Sequence, residues 1–359
     1  MQQIDIDVIN CNMLKDNEDS QGILYHTKTH RDQLRDSYFS SRNVENIIKF
    51  RRANYQYYQF AKFHQTKANE ITHYQLRKCL LYNQFSNLLI YTSYNRLCFY
   101  NPCSYKQSIY TISQDFNIVG ISQYEDKILL AGLQSNILFF SLKTGDTQEQ
   151  KLNLNQECII NQADFINDQE IIISDNDNQI RIFDADNLNQ EKYLALCSHC
   201  VNHCAIKQDL IIACLDQPLV IGHDRRQKKP IFSLQGHQCN NFAAQFDPIN
   251  EKKVATSGED KQCIIWDLRK LETPYDKVDA ISKPFYNIQY NNQGQLICIE
   301  GEDFVQIVDV QNTKLYQIID FFGQCSGCTF YKDKMFFNLQ SHRKMGLFEY
   351  NLINNNNKF

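Results

Sequence analysis

The sequence contains no apolar run that approaches the roughly 18 residues that would suggest a membrane span. Its opening residues, MQQIDIDVIN, are acidic and lack the basic-then-apolar order of a secretory signal. The formal net charge is −4, so the overall charge favours neither nucleic acid nor an anionic membrane as a ligand. We therefore expect a cytoplasmic or nuclear protein that does not bind membranes.

Motifs typical of enzymes are missing as well. The sequence has no glycine-rich phosphate loop, no helical HExxH metal motif and no nucleophile elbow. In the reducing surroundings expected here, we interpret the 14 cysteines as thiols, many of them buried as small apolar groups. These features favour a protein that is not an enzyme and that needs no cofactor.

What the chain does contain is a repeat of 40 to 43 residues. Its clearest unit spans residues 232 to 270, where short β-like runs separated by polar turns end in Trp266-Asp267. The residue after each comparable apolar run marks the repeat, and the seven markers are Asn101, Ser141, Asp184, Asp224, Asp267, Asp309 and Glu349. So regular a spacing predicts seven structural units.

Each unit has the pattern of a β-sheet. The runs before the markers, such as RLCFY, QIRIF and QCIIW, are rich in β-branched or aromatic residues and are bounded by polar turns. No long helical period occurs between residues 57 and 351. Because a single sheet cannot bury both its faces, stacked units must close into a ring or leave an exposed end. The predicted fold is all-β, a seven-bladed β-propeller.

The predicted domain bounds follow from this arrangement. The last unit lacks a fourth strand, and the aromatic-rich run NYQYYQFAKFHQT is a spare strand that can complete it. Residues 1–55 are an extension that we expect to form a partly ordered strap, 56–352 the propeller, and 353–359 a polar tail. Arg51 and Arg52 beside these aromatics superficially suggest base stacking, but a closing strand is the preferred interpretation and nucleic acid is not expected.

The unit at 232–270 resembles the WD-repeat family at its most specific positions, Gly236, His237, Asp260, Trp266 and Asp267. A second unit matches in part, with Ser174, Asp177 and Asp184 at the offsets of Ser257, Asp260 and Asp267. A narrower resemblance, carried by ITHYQLRKCLLYNQFSNLLIYTS and GHQCNNFAAQFDP, is to an uncharacterised eukaryotic WD-repeat family of fungi, slime moulds and plants. It covers nearly the whole chain, and that family has no assigned biochemical activity that the resemblance could carry over.

The WD-repeat resemblance implies a buried tetrad that ties the strands together through hydrogen bonds, formed by His237, Ser257, Asp260 and Trp266. His237, Ser257 and Asp260 are also the residue types of a hydrolase triad, which would need an exposed nucleophile beside an oxyanion hole. Since the four tetrad members can satisfy one another's hydrogen bonds, the structural interpretation is preferred.

Two cysteine-containing runs could suggest a metal site. CSHCVNHC places Cys197, His199, Cys200, His203 and Cys204 close together, but the spacing is not that of paired CxxC knuckles. If the run is extended, Cys197 and Cys200 point to opposite faces. The same reasoning applies to Cys325 and Cys328 in GQCSGC, so no metal is predicted.

The turns of a propeller cluster on its two faces, where binding residues tend to lie. By register we expect partner-binding residues on the face formed by the loops that lead into the inner strands and the turns between second and third strands, namely Phe116, Gln156, Asn176, His199, Gln238, Asn240, Glu259, Phe285 and Glu302. The basic run at 224–229 could hold phosphate or an acidic peptide, but it is interpreted as a solvated turn.

Asp-x-Arg occurs after two consecutive units, at Asp224 to Arg226 and at Asp267 to Arg269. The second resembles the box by which some WD-repeat proteins dock on the adaptor of cullin-type ubiquitin ligases, where the arginine would make charge-assisted contacts. Alternatively, each arginine pairs with a neighbouring acid. The predicted function is a non-enzymatic scaffold for protein–protein interactions within a larger complex, with a ligase substrate receptor as the alternative.

Overall fold

A computed structural model describes the chain over residues 55–66, 72–73, 78–152, 158–227, 229–321, 323–341 and 345–353. The regular elements in these ranges are all β-strands, which form seven antiparallel four-stranded sheets. No helix able to cross a membrane occurs within the same ranges. The sheets are the blades of a seven-bladed β-propeller, so the predicted fold is confirmed.

The strands are named in chain order. The closing strand and blades 1 to 3 are β1 Tyr58–Gln65; β2 Leu80–Asn83, β3 Leu88–Ser93, β4 Arg96–Tyr100, β5 Gln107–Thr111; β6 Ile118–Tyr124, β7 Lys127–Gly132, β8 Asn136–Ser141, β9 Thr147–Lys151; β10 Ile160–Phe165, β11 Glu170–Asp175, β12 Gln179–Asp184 and β13 Glu191–Leu196.

Blades 4 to 7 contain β14 Val201–Lys207, β15 Leu210–Leu215, β16 Val220–Asp224, β17 Pro230–Leu234; β18 Asn241–Phe246, β19 Lys253–Gly258, β20 Gln262–Asp267, β21 Asp276–Asp279; β22 Phe285–Tyr290, β23 Gln295–Glu300, β24 Phe304–Asp309, β25 Tyr316–Asp320; and β26 Gly323–Tyr331, β27 Lys334–Ser341 and β28 Met345–Leu352.

The repeat markers lie where the third strands of the blades end. Ser141, Asp184, Asp224, Asp267 and Asp309 are each the last residue of a third strand. Asn101 directly follows β4, and Glu349 lies inside the longer β28. The spacing read from the sequence is therefore the spacing of blades.

The ring is closed by β1, as the sequence predicts. β1 pairs antiparallel with β28, from Tyr58 opposite Leu352 to Gln65 opposite Gly346, and gives blade 7 its fourth strand. The strands run from residue 58 to residue 352, inside the predicted propeller bounds. The predicted strap at 1–55 and tail at 353–359 lie almost wholly outside the described residues, so these two assignments stay predictions.

Hydrophobic side chains are packed between the blades. The described residues form seven apolar clusters, each spanning two neighbouring blades, including one between blades 7 and 1. Second and third strands are almost completely buried, whereas fourth strands such as β9 are mainly exposed. Because every blade covers both neighbours, apolar burial holds the ring closed.

A β-bulge recurs near the start of the first strand in blades 2 to 7. In blades 3 and 4 the bulged residue is an asparagine that reaches the next blade. Asn161 Nδ2 donates to the carbonyl oxygen of Val201 at 2.9 Å, and Asn202 Nδ2 donates to that of Asn241 at 2.7 Å. The bulge thus turns a side chain towards the neighbouring inner strand and adds polar bonds between blades.

Candidate interaction surfaces

The propeller has two faces that differ in their loops. The upper face is formed by the loops between blades and the turns between second and third strands, and the lower face by the remaining turns. The predicted tetrad lies beneath the upper face, and the Asp-x-Arg sequences lie on the lower face.

The tetrad of blade 5 is a buried chain of hydrogen bonds. His237 Nδ1 lies 2.9 Å from Asp260 Oδ2, and His237 Nε2 lies 2.9 Å from the hydroxyl of Thr256. Trp266 Nε1 donates to the same hydroxyl at 2.8 Å. Asp260 also accepts the backbone N–H groups of Gln238 and Gln262. These contacts bind the loop before the blade, the second strand and the third strand together.

The hydroxyl of this network belongs to Thr256, so the prediction of Ser257 was wrong by one residue. Successive side chains of a strand point to opposite faces. Thr256 and Trp266 face blade 4, whereas Ser257 points towards blade 6, and its hydroxyl has no hydrogen-bond partner in the described part of the chain. The alternation of side chains along the strand could have revealed this. Trp266 pairs with Val254, and Thr256, two residues further on, shares the face of Val254.

The electrostatics of the tetrad suit a structural role. Thr256 and Trp266 are fully buried, so the hydroxyl is not placed to attack a substrate. Burial raises the pKa of the Asp260 carboxyl, but the hydrogen bond and charge of His237 outweigh this, and the net pKa lies below the ordinary value. The carboxylate is therefore held in its ionised, hydrogen-bond-accepting form.

Blade 3 has a different network at the equivalent place. Asp175 ends β11 as Gly258 ends β19, and Arg181 stands on β12 where Ile264 stands on β20. The Arg181 guanidinium donates to Asp175 Oδ2 at 2.7 Å and to both carboxylate oxygens of Asp177. All three side chains are at most 5% exposed. Burial, reinforced by Asp177, raises the pKa of Asp175.

Blade 6 has an acid and an amide at the positions that Asp175 and Arg181 occupy in blade 3. The buried Glu300 carboxylate accepts the backbone N–H groups of Ile281, Ser282 and Lys283 at 2.7, 2.9 and 3.0 Å. Gln306 Nε2 donates to it at 3.1 Å. The WD-repeat motif positions do not identify the polar clusters of blades 3 and 6. The available signal was an acid ending the second strand together with a polar residue inside the apolar third strand.

A further network fastens the closing strand. His64 Nε2 lies 2.7 Å from Glu349 Oε2, and His64 Nδ1 lies 2.7 Å from the Tyr100 hydroxyl. Lys334 Nζ donates to the other oxygen of Glu349. The network joins β1, β27 and β28 to blade 1. Although burial raises the pKa of Glu349, its contacts with His64 and Lys334 outweigh this and lower the pKa overall.

The predicted partner-binding residues do not all lie on the surface. Phe116 and Phe285 are fully buried in the clusters between blades 1 and 2 and between blades 5 and 6, so their assignment to a binding face was wrong. Both stand where an inner strand begins, and their rings fill the space between blades. Gln156 lies outside the described residues. The others have side chains at the upper face, with His199, Gln238 and Glu259 exposed and Asn176, Asn240 and Glu302 partly exposed.

The Asp-x-Arg sequences occupy matching turns of blades 4 and 5. Arg226 Nε and Nη2 donate to Asp224, and Arg269 makes the same contacts with Asp267. The two arginine side chains are nevertheless 70% and 64% exposed. The hydrogen bond from Arg226 lowers the pKa of Asp224 to about 2. Each arginine thus pairs with its own aspartate while the rest of its side chain faces solvent.

The residues of CSHCVNHC are distributed over different surroundings. Cys204 is buried between blades 3 and 4, His199 is exposed on the upper face, and His203 faces the axis of the ring. Within the described ranges, no group of three or more His, Cys, Asp or Glu residues is arranged to hold a metal ion. Cys325 and Cys328 are both buried in blade 7, and all the described cysteines are free thiols.

The two basic segments also have structural contacts. Arg225 forms two hydrogen bonds with Glu170, at 2.9 and 2.7 Å, which join blade 4 to blade 3. In the closing strand Tyr58 and Phe60 are buried, and the ring centroid of Phe60 lies 5.6 Å from that of Tyr350. The aromatics of this strand therefore pack inwards. Arg51 and Arg52 lie outside the described residues.

The axis of the ring contains a cavity of about 400 Å³, lined by the first strands of several blades. Lys78 of blade 1 forms an ion pair with Asp164 of blade 3 beside it. Burial lowers the pKa of His203 to about 4, although Asp164 opposes this shift. The His203 imidazole is thus neutral at physiological pH, and Lys78, which lines the cavity, is already paired with Asp164.

Comparison with known proteins adds support for the fold. No family model matches the chain, and no curated protein matches it. A chain from a solved structure titled "Crystal Structure of Mitotic Checkpoint Complex" is similar, with a TM-score of 0.69 and 12% sequence identity. The match covers 82% of this chain and 94% of that chain. At this identity the likeness shows the propeller fold alone.

Proposed function

We propose that this protein is a non-enzymatic propeller of the WD-repeat type that acts as a scaffold for other proteins in the cytoplasm or nucleus. The observation that carries the proposal is the state of the polar groups in blade 5. His237, Asp260 and Thr256, which include the residue types of a catalytic site, are buried and bonded to one another and to Trp266. These groups brace the ring, and the loops of both faces remain for recognition.

The test is affinity purification with mass spectrometry from the native cell. We expect stable partners in stoichiometric amounts. A variant combining His199→Ala, Gln238→Ala and Glu259→Ala probes the upper face, and Ser108→Ala with Ser233→Ala, on exposed fourth strands, is the matched control. Absence of any stable partner for the wild-type protein would argue against a scaffold. Loss of partners in both variants alike would remove the upper face from the proposal.

The second candidate is a substrate receptor of a cullin-type ubiquitin ligase. It is favoured by one observation, the matching positions of the exposed Arg226 and Arg269 on neighbouring blades of one face. Reversing both charges, Arg226→Glu with Arg269→Glu, should abolish co-purification of a ligase adaptor, whereas Lys106→Glu on the lower face of blade 1 should not. Retention of the adaptor by the double variant, or its absence from the wild-type preparation, would exclude this role for the two boxes.

A further inference from the structure

The ring closes between blades 7 and 1, and exposed aromatic side chains lie on the lower face at this seam. Phe85 and Tyr105 are 53% and 55% exposed. Tyr331 is partly exposed, and its ring centroid lies 4.2 Å from that of the buried Tyr82. Aromatic side chains exposed as a group are characteristic of surfaces that bind other proteins.

Each of these aromatic rings has a lysine ammonium group over it. Lys62 Nζ lies 3.9 Å from the ring centroid of Tyr105. Lys332 Nζ lies 5.0 Å from that of Tyr331, and Lys143 Nζ lies 5.1 Å from that of Phe85. These distances are within the range of cation–π attraction. We call these six residues, three aromatics and three lysines, the seam patch.

The loop before β5 presents Tyr105 in an unusual conformation. Its backbone has a φ of 58°, in the left-handed region that bulky residues rarely adopt. The Tyr105 N–H donates to the Asn101 carbonyl at 2.8 Å, and Asn101 Oδ1 accepts the N–H groups of Cys103 and Ser104. The ring also stacks on the buried His64, with centroids 5.7 Å apart. The loop and the closing strand thus hold a strained residue with its ring at the surface.

On the lower face of blades 7, 1 and 2 the charges are arranged with the cations outermost. Lys143 is 56% exposed while its partner Asp126 is 15% exposed, and Lys334 is 42% exposed while its partner Glu349 is 7% exposed. Lys62, Lys106 and Lys332 are exposed as well, and the exposed acids of the nearby turns are Glu125, Asp146 and Asp333. An approaching molecule therefore meets more positive than negative charge. Two copies of this surface would repel each other.

We infer that the seam patch binds an acidic segment of a partner protein that carries aromatic side chains. Acidic groups of the segment pair with the lysines, and its aromatic rings pack on Phe85, Tyr105 and Tyr331. This inference rests on the proposed scaffold function and names the surface and the chemistry of one partner.

The test uses the full-length protein and two soluble probes, a random copolymer of glutamate and tyrosine and a homopolymer of glutamate. Binding is measured by fluorescence anisotropy at low and high salt. The wild-type protein should bind the copolymer more tightly than the homopolymer. Lys62→Glu with Lys332→Glu should weaken copolymer binding by about tenfold or more and reduce its salt dependence. Phe85→Ala with Tyr105→Ala should remove the preference for the copolymer.

The matched control is the cation–π pair of blade 5 on the same face, where Lys253 Nζ lies 3.5 Å from the ring centroid of the exposed Tyr275. Tyr275→Ala should change copolymer binding by no more than about twofold. Melting temperatures show whether each variant remains folded, and Phe85→Ala alone serves where the double variant does not fold.

Any of four results would overturn the inference: no copolymer binding by the wild-type protein, copolymer binding retained by the seam variants, equal losses in the Tyr275→Ala control, or tighter binding of single-stranded oligothymidylate than of the copolymer. The scaffold proposal is judged separately by native partners. If the seam variants lose the copolymer but keep every partner, the patch binds acidic segments but does not select those partners. If the seam variants still bind the copolymer, the binding role of the patch is wrong and the scaffold proposal is unaffected.

Discussion

Blades 5 and 3 brace the same place in the sheet with different chemistry. In blade 5 a histidine, an aspartate, a threonine and a tryptophan form one chain of hydrogen bonds. In blade 3 a guanidinium lies between two buried carboxylates. Both clusters fix the end of the second strand to the turn that follows and to the third strand. The fold therefore requires a satisfied polar cluster at this place and does not require a particular set of residues.

The two clusters should differ most in what happens when one member is removed. Blade 5 shares its bonds among four side chains, of which Thr256 and Trp266 are neutral, whereas blade 3 depends on a single cation, Arg181, for two acids. A buried charge that loses its partner is much more costly than a lost hydrogen bond between neutral groups. Two expectations, the larger first, test this difference, and a third extends the comparison to the acid of blade 6.

The largest effect is expected from Arg181→Met in blade 3. Methionine retains much of the side-chain volume but leaves Asp175 and Asp177 buried without a cation. We expect the free energy of unfolding to fall by about 3–5 kcal/mol, measured by urea titration. Asp175→Asn in the same chain should restore part of this loss because it removes one of the two buried acids that share this cation. A fall in the free energy of unfolding of less than about 1 kcal/mol would mean that the guanidinium does not stabilise the cluster.

A smaller effect is expected from the hydroxyl of blade 5. Thr256→Val keeps the shape but removes the acceptor of Trp266 Nε1 and the partner of His237, so stability should fall by about 1–3 kcal/mol. Ser257→Ala is the matched control, since its hydroxyl has no partner among the described residues, and it should change stability by no more than about 0.5 kcal/mol. A larger loss for Ser257→Ala than for Thr256→Val would restore Ser257 to the tetrad.

The third expectation is a difference in pH dependence between blades 6 and 5. Burial raises the pKa of Glu300 from 4.5 to about 7, so the folded state holds a proton that the unfolded chain has released. Stability should therefore fall as pH rises from 4.5 to 7. Asp260 has a lowered pKa, so its contribution is present above 3.8 and is lost as pH falls through its folded value.

Glu300→Gln tests this expectation because it removes the titrating group of blade 6. Urea titrations of the variant and the wild-type protein at several pH values give the difference in stability at each one. That difference should vary between pH 4.5 and 7 and be constant above this range. A constant difference throughout would mean that Glu300 is ionised in both states, because its backbone donors offset the cost of burial.

Much of the fold could be predicted from residue patterns, and the details of the clusters could not. The spacing of the markers gave the blade count, and the spare strand at 54–66 gave the closure. Choosing between Thr256 and Ser257 required the pairing of β19 with β20, because adjacent residues face different blades. Phe116 and Phe285 were misplaced because a loop residue next to an inner strand can point outwards or into the space between blades.

The sequence by itself determined the number of strands, their grouping into units and the need for a closed ring, because apolar periodicity and turn residues act over short distances. The tertiary structure alone decided which polar groups meet. Arg181 with its two acids, Glu300 with the loop at 281–283 and the aromatics at the seam come together only when strands pair and the last blade meets the first. Hydrogen bonds and ion pairs depend on distances of a few ångströms, which pairing register and blade packing fix and residue spacing does not.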